Sequence, residues 1–135
     1  MLPIDSKIIA VDFDGTCVRH EYPNVGRDLP NAVSVLKELV TNGHKLVLFT
    51  MRSDKYLADA VNWFNQYGIP LHGVNEEPNQ KDWTKSPKAF ANVYIDDAAL
   101  GCPLIQPMLG ARPYVDWHGV RNLLMDKGVL PDDRT

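Results

Sequence analysis

The sequence predicts an α/β fold in three layers around a mostly parallel sheet, and three observations predict it. Short apolar runs at 7–11, 44–49 and 92–95 have the length and β-branching of strands buried on both faces of such a sheet. Helical spacing of apolar residues fills the intervals, from Leu29 to Asn42-Gly43 and from Ser53 or Asp54 to Gly68. Each run ends in polar residues: Asp12 and Asp14, Thr50, and Asp96 with Asp97. Alternation of strand and helix implies right-handed crossovers, hence a Rossmann-like sandwich with every strand C-terminus on one edge. Ligands bind in the crevice outside that edge, so these residues, remote in sequence, are expected to converge there.

The elements follow in order. In Lys7-Ile8-Ile9-Ala10-Val11 the strand ends abruptly in Asp12-Phe13-Asp14-Gly15-Thr16. Extended backbone through Asp14 sends Asp12 and Asp14 to one side, about 7 Å apart, and Phe13 to the other. Gly15 then permits a sharp turn. Cys17 to Asp28 is polar and turn-rich, a loop or small hairpin beside the acids. A helix opens at Leu29-Pro30-Asn31, with Pro30 in its first turn and Val33, Leu36, Leu39 and Val40 on one face. The strand His44–Phe49 delivers Thr50, and the next helix carries Leu57, Val61, Phe64 and Trp63 inward. Ile69–Asn75 reads as a third strand weakened by Pro70. Glu76 to Pro87 is a polar connection, Asn92–Ile95 the fourth strand, and a Pro-rich stretch with an edge strand follows. A last helix over Trp117–Lys127 turns Val120, Leu123 and Leu124 inward.

With 135 residues and 44% hydrophobic content, the chain builds one full core and not two, so 1–135 is a single domain. A net charge of -3 offers no basic footprint for nucleic acid or anionic membrane. Cys17 and Cys102 match no metal or redox spacing and read as free thiols of a reducing compartment. Asp5, Lys7, Asp12 and Asp14 interrupt any secretory core, and no run approaches a membrane span, so a cytoplasmic protein is expected. Residues 131–135 are expected to fray.

Taken singly, each motif has a plain explanation. Asp-x-Asp-Gly occurs in calcium loops, but those sit between two helices and close with Glu, whereas this one follows a strand. Thr50 alone suits a helix cap, and Asp96-Asp97 a solvated turn. Their common placement at strand ends shifts the balance towards one site. Carboxylates at the lip of a buried strand need a partner, and a hard divalent cation such as Mg²⁺ fits them best.

Together, Asp12-Phe13-Asp14-Gly15-Thr16, Thr50 after an apolar strand, a lysine ahead of the fourth strand, and Asp96-Asp97 after Val93-Tyr94-Ile95 resemble the four motifs of the haloacid dehalogenase (HAD) superfamily of phosphohydrolases. The resemblance covers Lys7 to Gly101 and is closest to small capless members, which often read Tyr-Ile-Asp-Asp-Arg where this chain has Ala98. It implies a HAD-like fold without a cap domain, and a Mg²⁺-dependent phosphomonoesterase working through an aspartyl-phosphate. Asp12 would be the nucleophile and Asp14 the general acid and base. Thr50 would bind a phosphoryl oxygen, with Gly15, Thr16, Met51 and Arg52 around the phosphate. Mg²⁺ would be held by Asp12, the Asp14 carbonyl and Asp97, with Asp96 orienting lysine or metal-bound water.

The lysine is Lys88 by resemblance, with Lys85 the alternative and Lys81 a weaker one. An extended chain from Lys88 to Asp96 would span about 26 Å, so Lys88 reaches the site only if the chain doubles back before Asn92. Neither cap insertion point has room, so the site should be open to a phosphorylated small molecule or macromolecule, or capped by a second copy of the chain. Arg19, His20 and Tyr22 stand near enough in sequence to contact a leaving group, though solvent-facing residues are the simpler reading. A non-catalytic phosphate-binding module is the competing class; intact Asp14 speaks against it, because a binder needs no general acid. A phospho-receiver would carry Asp where Asn75 stands.

Overall fold

A computed structural model describes residues 4–135. Its centre is a four-stranded parallel sheet in the order β3-β2-β1-β4, with β1 at Ile8–Val11, β2 at Lys45–Leu48, β3 at Gly73–Val74 and β4 at Val93–Ile95. Three helices accompany it: α1 (Ala32–Thr41), α2 (Asp54–Gln66) and α3 (Trp117–Asp126). A two-stranded antiparallel ribbon, β5 (Leu104–Ile105) with β6 (Tyr114–Val115), precedes α3. The α/β, Rossmann-like class expected from the alternation is the class observed. No helix among the described residues is long and apolar enough to cross a membrane.

The pleat divides the sheet's residues between two layers. Ile9 and Val11 lie beside Leu46 and Leu48, and on the other side beside Val93 and Ile95. All six belong to or pack against one core that includes inward residues of all three helices. On the opposite face Ala10 and Val47 are buried as well; the connection 76–92, whose Ala89 carbonyl accepts from the Tyr94 hydroxyl at 2.7 Å, contains only a 3-10 turn at Gln80–Asp82. There a single side chain replaces helical hydrogen bonding. The Gln80 amide donates to the carbonyls of Ser86 and Lys88 at 3.2 and 2.9 Å, and its oxygen accepts from the amides of Glu77 and Phe90 at 3.2 and 2.8 Å.

Several boundaries differ from the sequence reading. Leu29 is buried and its amide bonds Cys17 O at 3.0 Å, which holds 29–31 as a turn; Asn31 has φ 67, so α1 starts after it and Pro30 lies outside. Inside α1 the buried residues are Ala32, Val35, Leu36 and Leu39, with Val33 and Val40 at the rim. The third strand shrinks to two residues. Leu123 is 44% exposed, because Trp117, Val120 and Leu124 occupy the inward stripe and Val129 and Leu130 fold back beneath the helix beside Met125. Residues 131–135 form no element, yet Arg121 ties Asp133 and Glu38 together, and Arg134 pairs with Asp126.

Candidate active site

The strand ends converge as expected. A cavity of about 470 Å³ outside the C-terminal edge is lined by Asp12, Asp14, Thr50, Asp96 and Asp97, and also by His20, Tyr22, Met51, Arg52, Ala98 and Arg112. Extended backbone beyond β1 delivers Asp12 and Asp14 to this cavity while Phe13, fully buried, packs edge-on against Trp63 with ring centroids 5.7 Å apart. The buried ring anchors the acidic turn from below.

Asp12, Asp96 and Asp97 each offer a carboxylate oxygen within 4.8 Å of the others. Burial, and next the Asp96 carboxylate, push the Asp12 carboxyl up to about 8; burial raises Asp97 as well. Charge of one sign is thus crowded into a half-buried space, and a hard cation is the partner that relieves it. The surroundings fit such an ion. Gly15 has φ +79, and a Cβ there would stand 2.3 Å from Asp97 Oδ2, so only glycine lets Asp97 close over the turn. The donor set is all hard oxygen, as Mg²⁺ requires. Asp96, expected either among the metal residues or as an orienting group, belongs to the cluster directly.

Two expected phosphate ligands prove to be struts. Thr16 is fully buried; its hydroxyl donates to Asp12 Oδ2 at 2.9 Å and accepts from the Asp97 amide at 3.1 Å, joining the ends of β1 and β4. Its carbonyl accepts from Trp117 Nε1 at 2.6 Å. Gly15 spends its amide on Val18 O and its carbonyl on Val115 N. Neither residue has a donor left for a phosphate.

Asp14 has a different partner from Asp12. Arg52 donates from Nε to Oδ2 at 2.7 Å and from Nη2 to Oδ1 at 2.8 Å, a bidentate pair in which Arg52 is 3% exposed. The remaining guanidinium protons go to the carbonyls of Pro23, Asn24 and Tyr56 at 3.2, 2.8 and 3.1 Å. All five donors are spent, so Arg52 is no phosphate ligand as it stands; it clamps Asp14 to the 17–28 loop. The guanidinium carbon also lies 5.1 and 5.2 Å from the ring centroids of Phe13 and Tyr22. The Asp14 carboxylate accordingly stands apart from the acidic trio.

Thr50 is held by its neighbours with its proton left over. Its amide bonds Asn75 Oδ1 at 2.8 Å, and its hydroxyl oxygen accepts from the Arg52 amide at 3.1 Å, which frees the O–H to donate into the cavity. Met51 points its side chain into solvent, so its backbone is what the cavity can use. No lysine lines the cavity. Lys85 and Lys88 are exposed, and Lys81 pairs loosely with Glu76 at 3.9 Å. The chain does double back before Asn92, but Lys88 Nζ rests 5.2 Å from the centroid of Tyr94, whose side of β4 is continued by Asp96. A different cation enters instead: Arg112, from the β5–β6 connection. Sequence reading missed it because that Pro-rich stretch shows no period. Asn75 had a signal, its place at the end of the third strand.

No protein-family model and no curated protein matches the chain. A solved structure from Bacteroides thetaiotaomicron, described as a conserved protein coded by locus, superimposes with a TM-score of 0.72 at 32% identity, over 91% of this chain and 93% of its own. That identity over nearly the whole length of both chains places the present chain in the same family as that conserved protein.

Proposed function

We propose that this protein is a Mg²⁺-dependent phosphohydrolase of the HAD type, acting on phosphate monoesters through an aspartyl-phosphate on Asp12. The observation that carries the reading is the meeting of Asp12, Asp96 and Asp97 within 4.8 Å, in a cavity shared with Thr50 and Asp14. Asp12, Asp96 and Asp97 would hold Mg²⁺, which when bound cancels the charge that otherwise keeps a carboxylate from a phosphate dianion.

The residues divide the work as follows. Asp12 attacks phosphorus in line; the bond to the leaving oxygen breaks, and an acyl phosphate forms on Asp12. Thr50 donates its free O–H to a phosphoryl oxygen, with the Met51 amide beside it. Asp14 carries the proton to the leaving oxygen, exchanging one Arg52 donor for that proton. As a carboxylate again, it takes a proton from the water that cleaves the acyl phosphate. Free Cys17 and Cys102 suit a reducing, cytoplasmic setting.

The Asp14–Arg52 pair favours a second reading, a phosphate-binding module without turnover, because it engages both oxygens of the proton carrier. A panel of phosphate monoesters with Mg²⁺ separates the two. Phosphate release from at least one ester is expected, lost in EDTA and reduced about 10³-fold or more in Asp12→Asn. Release no higher than these controls across the panel leaves the binding module.

A further inference from the structure

We propose, resting on the phosphohydrolase reading only for which end of the substrate reacts, that the substrate carries a second phosphate, held by Arg19, Arg27 and Arg112. The chain has six arginines. Arg52, Arg121 and Arg134 each pair with carboxylates. Among the described residues Arg19, Arg27 and Arg112 pair with none, and these three line one recess of about 220 Å³. The recess adjoins the acidic cavity, since His20 and Arg112 line both.

The local backbone holds this charge together against its own repulsion. Val18 and Asp28 form an antiparallel bridge, and the Arg19 amide bonds Arg27 O at 2.8 Å, so the two arginines stand opposite each other. Like charges directly across an antiparallel pair are unfavourable unless an anion joins them. Gly26 permits the close approach, because a Cβ there would lie 2.1 Å from Arg19 O. The Arg19 guanidinium is laid over the Tyr114 ring at 4.9 Å, next to the segment that brings Arg112. Glu21 is the one acid lining the recess. Three guanidinium groups offer more donors and charge than a carboxylate can match, whereas a phosphate dianion presents three oxygens and two charges. A small molecule with phosphates at both ends would therefore react at Asp12 and be gripped by the arginines.

Hexose 1,6-bisphosphate, hexose 6-phosphate and a hexonate 6-phosphate with a C1 carboxylate test this. Two readouts are compared: kcat/KM with Mg²⁺, and calorimetric binding to Asp12→Asn, which needs no turnover. The bisphosphate is expected to lead both other compounds by about tenfold or more in each readout, roughly the effect of one charge-assisted hydrogen bond. Arg27→Gln should bring that lead within about twofold; Arg19→Gln is the second variant should Arg27→Gln fold poorly. A bisphosphate no better than the monophosphate or the carboxylate analogue overturns the inference, as does a preference that survives both variants. Preferential binding without turnover of any ester upholds the recess and rejects the phosphohydrolase reading alone.

Discussion

Asp12 and Asp14 stand two positions apart on the same turn, yet their charge is treated in opposite ways. Asp12 shares a half-buried space with Asp96 and Asp97, and no described cation pairs with it there. Asp14 faces a guanidinium whose five donors are all engaged. Where compensation is complete, the groups hold the fold: Arg52 ties Asp14, the loop at Pro23 and Asn24, and α2 at Tyr56. Where it is incomplete, the missing charge has to come from a ligand. The same contrast separates the paired arginines from the three that line the recess.

Asp14→Asn tests the contrast and, with it, the proposed proton carrier. Turnover is expected to fall about 10²-fold or more, while Mg²⁺ affinity, read by calorimetry, stays near wild type because the cation's carboxylates belong to the other three aspartates. Loss of metal binding in this variant would merge the two regions and return the turn to a plain metal loop. Removing the other half of the pair is a stability experiment. Arg52→Met leaves Asp14 without its donors in a nearly closed site and frees the 17–28 loop, and should cost about 3 kcal/mol in urea unfolding. A cost within the range of an ordinary surface substitution would mean that the clamp does not organise the loop.

The smallest effect is on pH. Asp12 is raised in the folded protein, to about 8 from 3.8, so in this range the folded state binds more protons than the unfolded state. Stability from this group is therefore full below its unfolded value and declines as pH rises towards 8. In EDTA the melting temperature should drop by several degrees between pH 5.5 and pH 8, and Mg²⁺ or Asp12→Asn should flatten that slope. An unchanged slope in Asp12→Asn would assign the effect elsewhere.

The C-terminal edge of the sheet was legible because buried parallel strands are apolar runs, and their polar ends are visible as abrupt changes of composition. Asp12, Thr50, Asp96 and Asp97 could each be placed on one edge by counting strands. Thr16 and Gly15 were assigned to phosphate because they directly follow the acidic pair in sequence. Their donors are in fact spent within the turn, on Asp12, Phe13 and Val18, while the Thr16 hydroxyl accepts from the Asp97 amide 81 residues away. Arg52 was misassigned for the same reason: its partners at Asp14, Pro23 and Asn24 are 28 to 38 residues away, and no local pattern announces them.

By itself the sequence determined the sheet, its helical cover and the convergence of the acids, since these follow from hydrophobic period and chain connectivity. Tertiary structure alone decided which charges are compensated. It turned Asp14 towards Arg52, left Lys88 over Tyr94, and brought Arg112 to the cavity from a stretch without any period. Periodicity is a property of neighbours along the chain, whereas charge compensation depends on distances through space, which are fixed only when the loops have packed.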